Sequence, residues 1–201
     1  MKKTIVFQGD SITDAGWRED PAGIGRGYVK KVTDWLNAEK KDVAYYNRGI
    51  SGNRTCDLVP RWKQDTLDLK PDIVTVMIGV NDVWHKLSAN MPMSDAEFEN
   101  NYAAVLEQCK KINAKIIMLQ PYILRCGVVT PEWEPEFVGK LAVCNKLAAG
   151  YADAYVRTEE IFNKLTETQK PEAFAQDGVH PGDAGQEVIA NALIAELRKF
   201  L

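Results

Sequence analysis

Histidine is scarce in this chain, which holds only His85 and His180. A three-histidine zinc site is therefore excluded, and no cysteine–histidine cluster stands in for one. The four cysteines, Cys56, Cys109, Cys126 and Cys144, never fall into a C-x-x-C spacing. Free thiols are the expectation for such a set in a reducing compartment. Neither sign of charge is in surplus: 25 basic residues stand against 28 acidic ones, for a net charge of -3. No basic stripe is visible, so no nucleic-acid partner is expected. No apolar run approaches the roughly 18 residues that a membrane span needs. At the N-terminus, MKKTIVFQGD, two lysines precede a short apolar run that Gln8, Gly9 and Asp10 end. That run is too short for a signal peptide, and a cytoplasmic protein away from membranes is expected. Internal repeats, low-complexity stretches and linkers are missing as well, so residues 1–201 read as a single domain.

What the chain does hold is alternation. Short apolar runs at Thr4–Gln8, Val43–Tyr46, Asp72–Ile78, Lys115–Gln120 and Asp153–Val156 read as five strands. Between them apolar residues recur at helical spacing. One face carries Tyr28, Val29, Val32, Trp35 and Leu36. Another carries Phe98, Tyr102, Val105, Leu106, Cys109 and Ile112, behind a Ser94/Glu97 capping box. Phe137, Leu141, Cys144 and Ala148 mark a further helix, and Ile189, Leu193 and Leu197 the last. After Thr55 the pattern is weaker, and Pro60 moves the expected helix start to Val59. Near-continuous apolar strands separated by helices indicate an α/β fold, with a five-stranded parallel sheet covered on both faces. The stretch 122–136, with two prolines and a glycine, reads as a long loop on the carboxyl rim of that sheet, where ligands bind. Trp17 and Trp133 fall in expected loops.

Four segments carry chemistry: Gly9–Thr13 (GDSIT), Asn47–Asn53 (NRGISGN), Gly79–Asp82 (GVND) and Asp177–Pro181 (DGVHP). Three of them begin at the carboxyl end of an expected strand. A serine hydroxyl needs a base to take its proton, and Ser11 sits at the first strand-to-helix turn. His180 is the better of the two candidate bases. Asp177, three residues earlier, can hold one imidazole nitrogen and leave the other for Ser11. Gly52 can offer a backbone N–H, and Asn81 a side-chain N–H. With the Ser11 amide they make three donors for an oxyanion. Asp10 is expected to hold the turn, and His85 to lie in a loop or at a helix start. No G-x-S-x-G surrounds Ser11 or Ser51, so the α/β-hydrolase elbow is not supported. Gly23, Gly25 and Gly27 imitate a dinucleotide fingerprint, but Tyr28 takes the place of its last glycine.

In this order and spacing, the four segments resemble the blocks of the SGNH (GDSL-type) hydrolase family, over nearly the whole chain. The resemblance implies Ser11 as nucleophile, Asp177 and His180 as the rest of a triad, and Ser11, Gly52 and Asn81 as the oxyanion hole. It also implies a flavodoxin-like three-layer α/β/α sandwich and no metal or organic cofactor. NRGISGN, Arg61-Trp62, MIGVNDVW and GDSITD are similar, more narrowly, to the bacterial acetylxylan esterases of that family. That likeness implies a small acylated substrate, an acetylated xylo-oligosaccharide or related sugar, and leaves room for a homo-oligomer. Asn53, Arg54 and Trp84 flank the oxyanion segments and are the candidates for contact with a sugar. Asn53, Arg54, Asp82 and Arg125 give the expected rim a polar cast. The alternatives are a broad acyl hydrolase of lysophospholipase or thioesterase type and, from another class, a non-catalytic flavodoxin-like binding module.

Overall fold

The five apolar runs form the strands β1 (Lys3–Gly9), β2 (Val43–Asn47), β3 (Ile73–Met77), β4 (Lys115–Leu119) and β5 (Ala154–Val156). The structure is a computed structural model and describes residues 2–201. The strands pair in parallel, in the order 2-1-3-4-5. The register aligns Phe7 with Asn47, Gly9 with Met77, Met77 with Leu119 and Leu119 with Val156, so the carboxyl ends lie along one edge. Strand order reverses between β1 and β3. A crevice opens there at the carboxyl edge, as it does in other sheets wound this way.

Among the described residues eight α-helices flank the sheet: α1 (Ser11–Asp14), α2 (Tyr28–Ala38), α3 (Thr55–Asp65), α4 (Val80–Ala89), α5 (Asp95–Lys111), α6 (Trp133–Tyr151), α7 (Thr158–Thr166) and α8 (Asp183–Leu197). Side chains alternate across each strand, so each face builds its own core. On one face Ile5, Phe7, Ile73 and Ile117 pack with Val32 and Leu36 of α2, Phe162 of α7 and Leu193 of α8. On the other, Val74, Val76, Ile116 and Met118 pack with Trp62 of α3, Leu106 of α5 and Leu147 of α6. This is the sheet covered on both faces that the alternation indicates, and the three-layer α/β/α sandwich that the resemblance implies. None of its helices is long and apolar enough to cross a membrane, among the described residues.

Three local expectations are corrected. Helix α3 starts at Thr55, not at Val59, and Pro60 lies inside it. An interior proline costs about 3 kcal/mol. Complete burial of Leu58 and Trp62 on one face of α3 offsets that cost, and the Asp57 carboxylate accepts from the Arg54 amide at the helix start (2.8 Å). Trp133 is not in a loop but opens α6, and only 4% of it is exposed. The loop therefore ends at residue 132. Pro135, which helped the stretch read as loop, occupies the first turn of α6, where no backbone donor is required. His85 lies well inside α4 rather than at its start.

Candidate active site

The carboxyl edge collects the four segments. Ser11 is the first residue of α1, directly after β1, and the Asp10 carboxylate caps that turn by accepting from the Ile12 amide (3.0 Å). Ser11 Oγ lies 2.9 Å from His180 Nε2. On the far side of the imidazole, Nδ1 lies 2.7 Å from Asp177 Oδ2. The other carboxylate oxygen, Oδ1, accepts from the amides of Val179 (2.9 Å) and His180 (2.7 Å). Partial burial works against the Asp177 charge. The His180 ring and the two amides outweigh it, and hold the carboxyl below the usual carboxylate range. An ionised Asp177 keeps the proton of the neutral imidazole on Nδ1 and leaves Nε2 to accept from Ser11.

Gly52 follows β2 with φ at +82°, a left-handed backbone that glycine adopts without strain. A Cβ there would meet no protein atom, because the position faces the open cleft. Its neighbours are pinned on both sides. Asp14 Oδ2 accepts from the Ser51 amide (2.9 Å) and hydroxyl (2.8 Å). Asn53 Oδ1 accepts from Arg61 Nε (2.8 Å). The Asn53 carbonyl in turn accepts from Asn81 Nδ2 (3.0 Å), which orients that amide and leaves its second proton for the cleft. The structure thus brings Ser11, Gly52, Asn81 and His180 together around one cavity of about 380 Å³, with Asp177 behind the imidazole.

Trp84 borders the same cavity, and its ring centroid lies 5.5 Å from that of His180. Asn53 and Arg54 do not border it. Their side chains turn to Arg61 and toward Asp57 (3.7 Å). The polar cast expected of the rim is corrected too. Asp82 is fully buried, where its carboxylate accepts from the Thr55 hydroxyl (2.9 Å) and amide (3.2 Å). Arg125 is taken up by Glu134 and Glu159. The wall that faces Ser11 comes from α4 and the residues just after it: Trp84, His85, Ala89 and Met91. Its lining is therefore more apolar than the rim residues implied.

Two features noted in the sequence, the Arg61-Trp62 pair and the loop after β4, support the site in ways the sequence did not indicate. The Arg61 guanidinium donates to Asn53 Oδ1, to the carbonyls of Arg48 (2.9 Å) and Gly9 (3.3 Å), and to Asp65 Oδ2 (3.0 Å). It ties the strand end that precedes Ser11 to the loop that carries Gly52. The RW pair was visible as a motif, but only the fold shows what its arginine holds. The second support is the loop after β4. The Leu124 amide donates to the Gly178 carbonyl (2.8 Å), the Val128 amide to that of Asp177 (3.0 Å), and the Tyr122 hydroxyl to that of Val179 (2.9 Å). A Cβ on Gly127 would come within 2.5 Å of the Asp177 backbone. The inner part of this loop is thus a backing for the Asp177–His180 turn.

Buried acids lie beneath the site. Burial pushes the Asp10 carboxyl up to about 7, against the Ile12 amide and the nearby His180. Burial likewise pushes Asp82 up to about 6, against its bonds from Thr55.

The model of the GDSL-like lipase/acylhydrolase family matches residues 7–188. The chain belongs to that family. It is a carboxylic ester hydrolase by that membership. An acetylxylan esterase of Geobacillus stearothermophilus is 33% identical over 96% of this chain and 93% of its own length. An arylesterase of Vibrio mimicus is 25% identical over 98% of this chain and 89% of its own. Among solved structures, a GDSL-like lipase from Parabacteroides merdae superposes with a TM-score of 0.90, at 32% identity over 97% of this chain and 96% of that one. The Geobacillus esterase superposes with a TM-score of 0.87, at 32% identity over 96% and 93%. Variants of that esterase described as catalytic mutants change a serine, an aspartate and a histidine, the last two being three positions apart.

Proposed function

We propose that this family member removes short acyl groups, acetyl above all, from esterified sugars such as xylo-oligosaccharides. The observation that carries the reading is the continuous line of contacts Asp177–His180–Ser11 at a cavity that Gly52 and Asn81 also border. His180 Nε2 takes the proton of Ser11 Oγ as that oxygen attacks the ester carbonyl. The negative charge that develops on the carbonyl oxygen is met by the amides of Ser11 and Gly52 and by Asn81 Nδ2. His180 then gives its proton to the departing alcohol, which leaves an acyl-Ser11 ester. Water, deprotonated by the same nitrogen, attacks that ester, and the proton returns to Ser11 as the carboxylic acid leaves. Asp177 stays ionised throughout and stabilises the imidazolium. The acetyl-sugar part of the reading is supported by the Geobacillus relative and by the Trp84 indole beside the base, since an indole face suits the apolar face of a sugar ring.

A second reading rests on the apolar wall of Trp84, Ala89 and Met91, which would also suit a longer acyl chain. One paired assay separates the two. Acetate release from acetylated xylobiose is measured beside hydrolysis of p-nitrophenyl esters from acetate to decanoate, with Ser11→Ala as the blank. Fast acetate release with a steep fall beyond propionate is expected. Rates that rise with chain length, with poor sugar turnover, would favour the longer acyl substrate. Near-wild-type activity in Ser11→Ala would overturn the mechanism itself.

A further inference from the structure

Past Trp84 the cleft continues into a second hollow of about 290 Å³. Trp84 and Ser88 border both cavities. The far side of the hollow is Leu87 of α4 and, opposite it, Val128, Thr130 and Trp133. Leu87 and Val128 are 40% and 43% exposed, and with the half-buried Trp84 indole they present apolar surface beside the site, floored by the buried Trp133. The rings step outward from the base. His180 and Trp84 have centroids 5.5 Å apart, and Trp84 meets Trp133 edge-to-face, also at 5.5 Å.

The direction of the chemistry gives this hollow an occupant. His180 protonates the leaving oxygen, so the leaving group lies against His180 and runs along Trp84. Whatever is attached to the leaving sugar on that side reaches the hollow. Its volume is about that of ten liquid waters, which is room for one sugar ring. Indole and aliphatic walls suit the C–H face of such a ring, and the hydroxyls of Ser88 and Thr130 suit its rim. We infer that the hollow is a second sugar subsite, which holds the ring next to the one being deacetylated. The enzyme then prefers acetylated oligosaccharides to acetylated monosaccharides. The inference rests on the sugar-deacetylase reading above.

The test compares kcat/KM for acetylated xylobiose with that for acetylated xylose. The proteins are the wild type, Val128→Trp, which fills the hollow, and Leu87→Gln, which makes its wall polar. Both changed side chains are exposed, and thermal melts check that the variants fold. The wild type is expected to favour the disaccharide. The preference should fall about tenfold in Val128→Trp and about threefold in Leu87→Gln. A ratio that stays put in both folded variants overturns the subsite. So does a change confined to the p-nitrophenyl acetate-to-hexanoate series, which would assign the hollow to the acyl chain. If the wild type releases acetate from neither sugar while cleaving p-nitrophenyl acetate, the sugar-deacetylase reading falls first and takes the subsite with it.

Discussion

Arg61 touches no reacting atom, yet its replacement by lysine should be felt in catalysis. Its planar fork makes four hydrogen bonds to four groups at once. Lysine carries its donors on a single nitrogen and cannot span that fork. It can keep Asp65 and one carbonyl, but not Asn53 Oδ1 as well. Each bond to a charged donor contributes about 1.5–3 kcal/mol, so the loss of two should lower stability by about 3–6 kcal/mol. Asn53, once released, no longer fixes the carbonyl that orients Asn81 Nδ2. Outright removal of an oxyanion donor costs on the order of 10²–10³ in kcat. A donor that is displaced but still present costs less, and a loss of about tenfold to a hundredfold is expected. KM should hardly move, because in the proposed mechanism these donors act on charge that exists only in the transition state. The assay is steady-state hydrolysis of p-nitrophenyl acetate beside a thermal melt. A second arm uses Arg61→Gly with added methylguanidinium or methylammonium; only the planar cation should restore kcat. A folded Arg61→Lys protein with kcat within twofold of wild type would refute the reasoning.

Three other perturbations follow from the same site. Asp177→Asn leaves an oxygen for the Val179 and His180 amides but turns an NH₂ toward Nδ1, so the imidazole must present the wrong tautomer to Ser11; kcat on p-nitrophenyl acetate should fall by about 10⁴. Gly127→Ala drives a Cβ into the Asp177 backbone, and it should lower both kcat and the melting temperature, whereas unchanged values would show that the loop does not brace the turn. Asp10→Asn tests the buried acid through stability alone. The folded state holds the Asp10 proton up to about pH 7, while the unfolded chain gives it up near 4. The folded state therefore binds more protons inside that window, and stability is lost as pH rises through it, by a few kcal/mol. Urea melts should show a shallower decline for Asp10→Asn than for the wild type, with a residual slope from Asp82 that ends near pH 6.

The strands were legible because β-branched, apolar runs ending at Gly9, Gly79 or Pro121 have few other uses in a chain of this kind. The Ser94/Glu97 box announced α5 by a local rule, and both of its hydrogen bonds are present. Ser11, Gly52, Asn81, Asp177 and His180 stood out because each sits where a strand ends or a turn is forced. Local rules misled where tertiary packing outweighed them. Pro60 marks a helix break by propensity, yet α3 runs through it because Leu58 and Trp62 are buried on its far side. Trp133 looked like loop because prolines surround it, yet it packs against Trp84. Arg61 and Gly127 were beyond the reach of such rules. What they hold lies up to 52 residues away for Arg61, and about 50 for Gly127, so only the wound sheet brings the partners together.

The strand order also governs when the enzyme can begin to work. Ser11 follows β1, Gly52 follows β2, Asn81 follows β3, and the Asp177–His180 turn comes only after β5, a three-residue strand at the sheet edge. Any fragment that contains all of these groups must span residues 11–180, nearly the whole chain. Parallel pairings between distant segments are slow to form, and the β4–β5 pairing and the docking of residues 122–128 against 174–179 must both be complete before Nε2 faces Oγ. In a refolding experiment, helix content should return first, tryptophan burial next, and esterase activity last. The lag before activity returns then times the closing of the sheet's final edge.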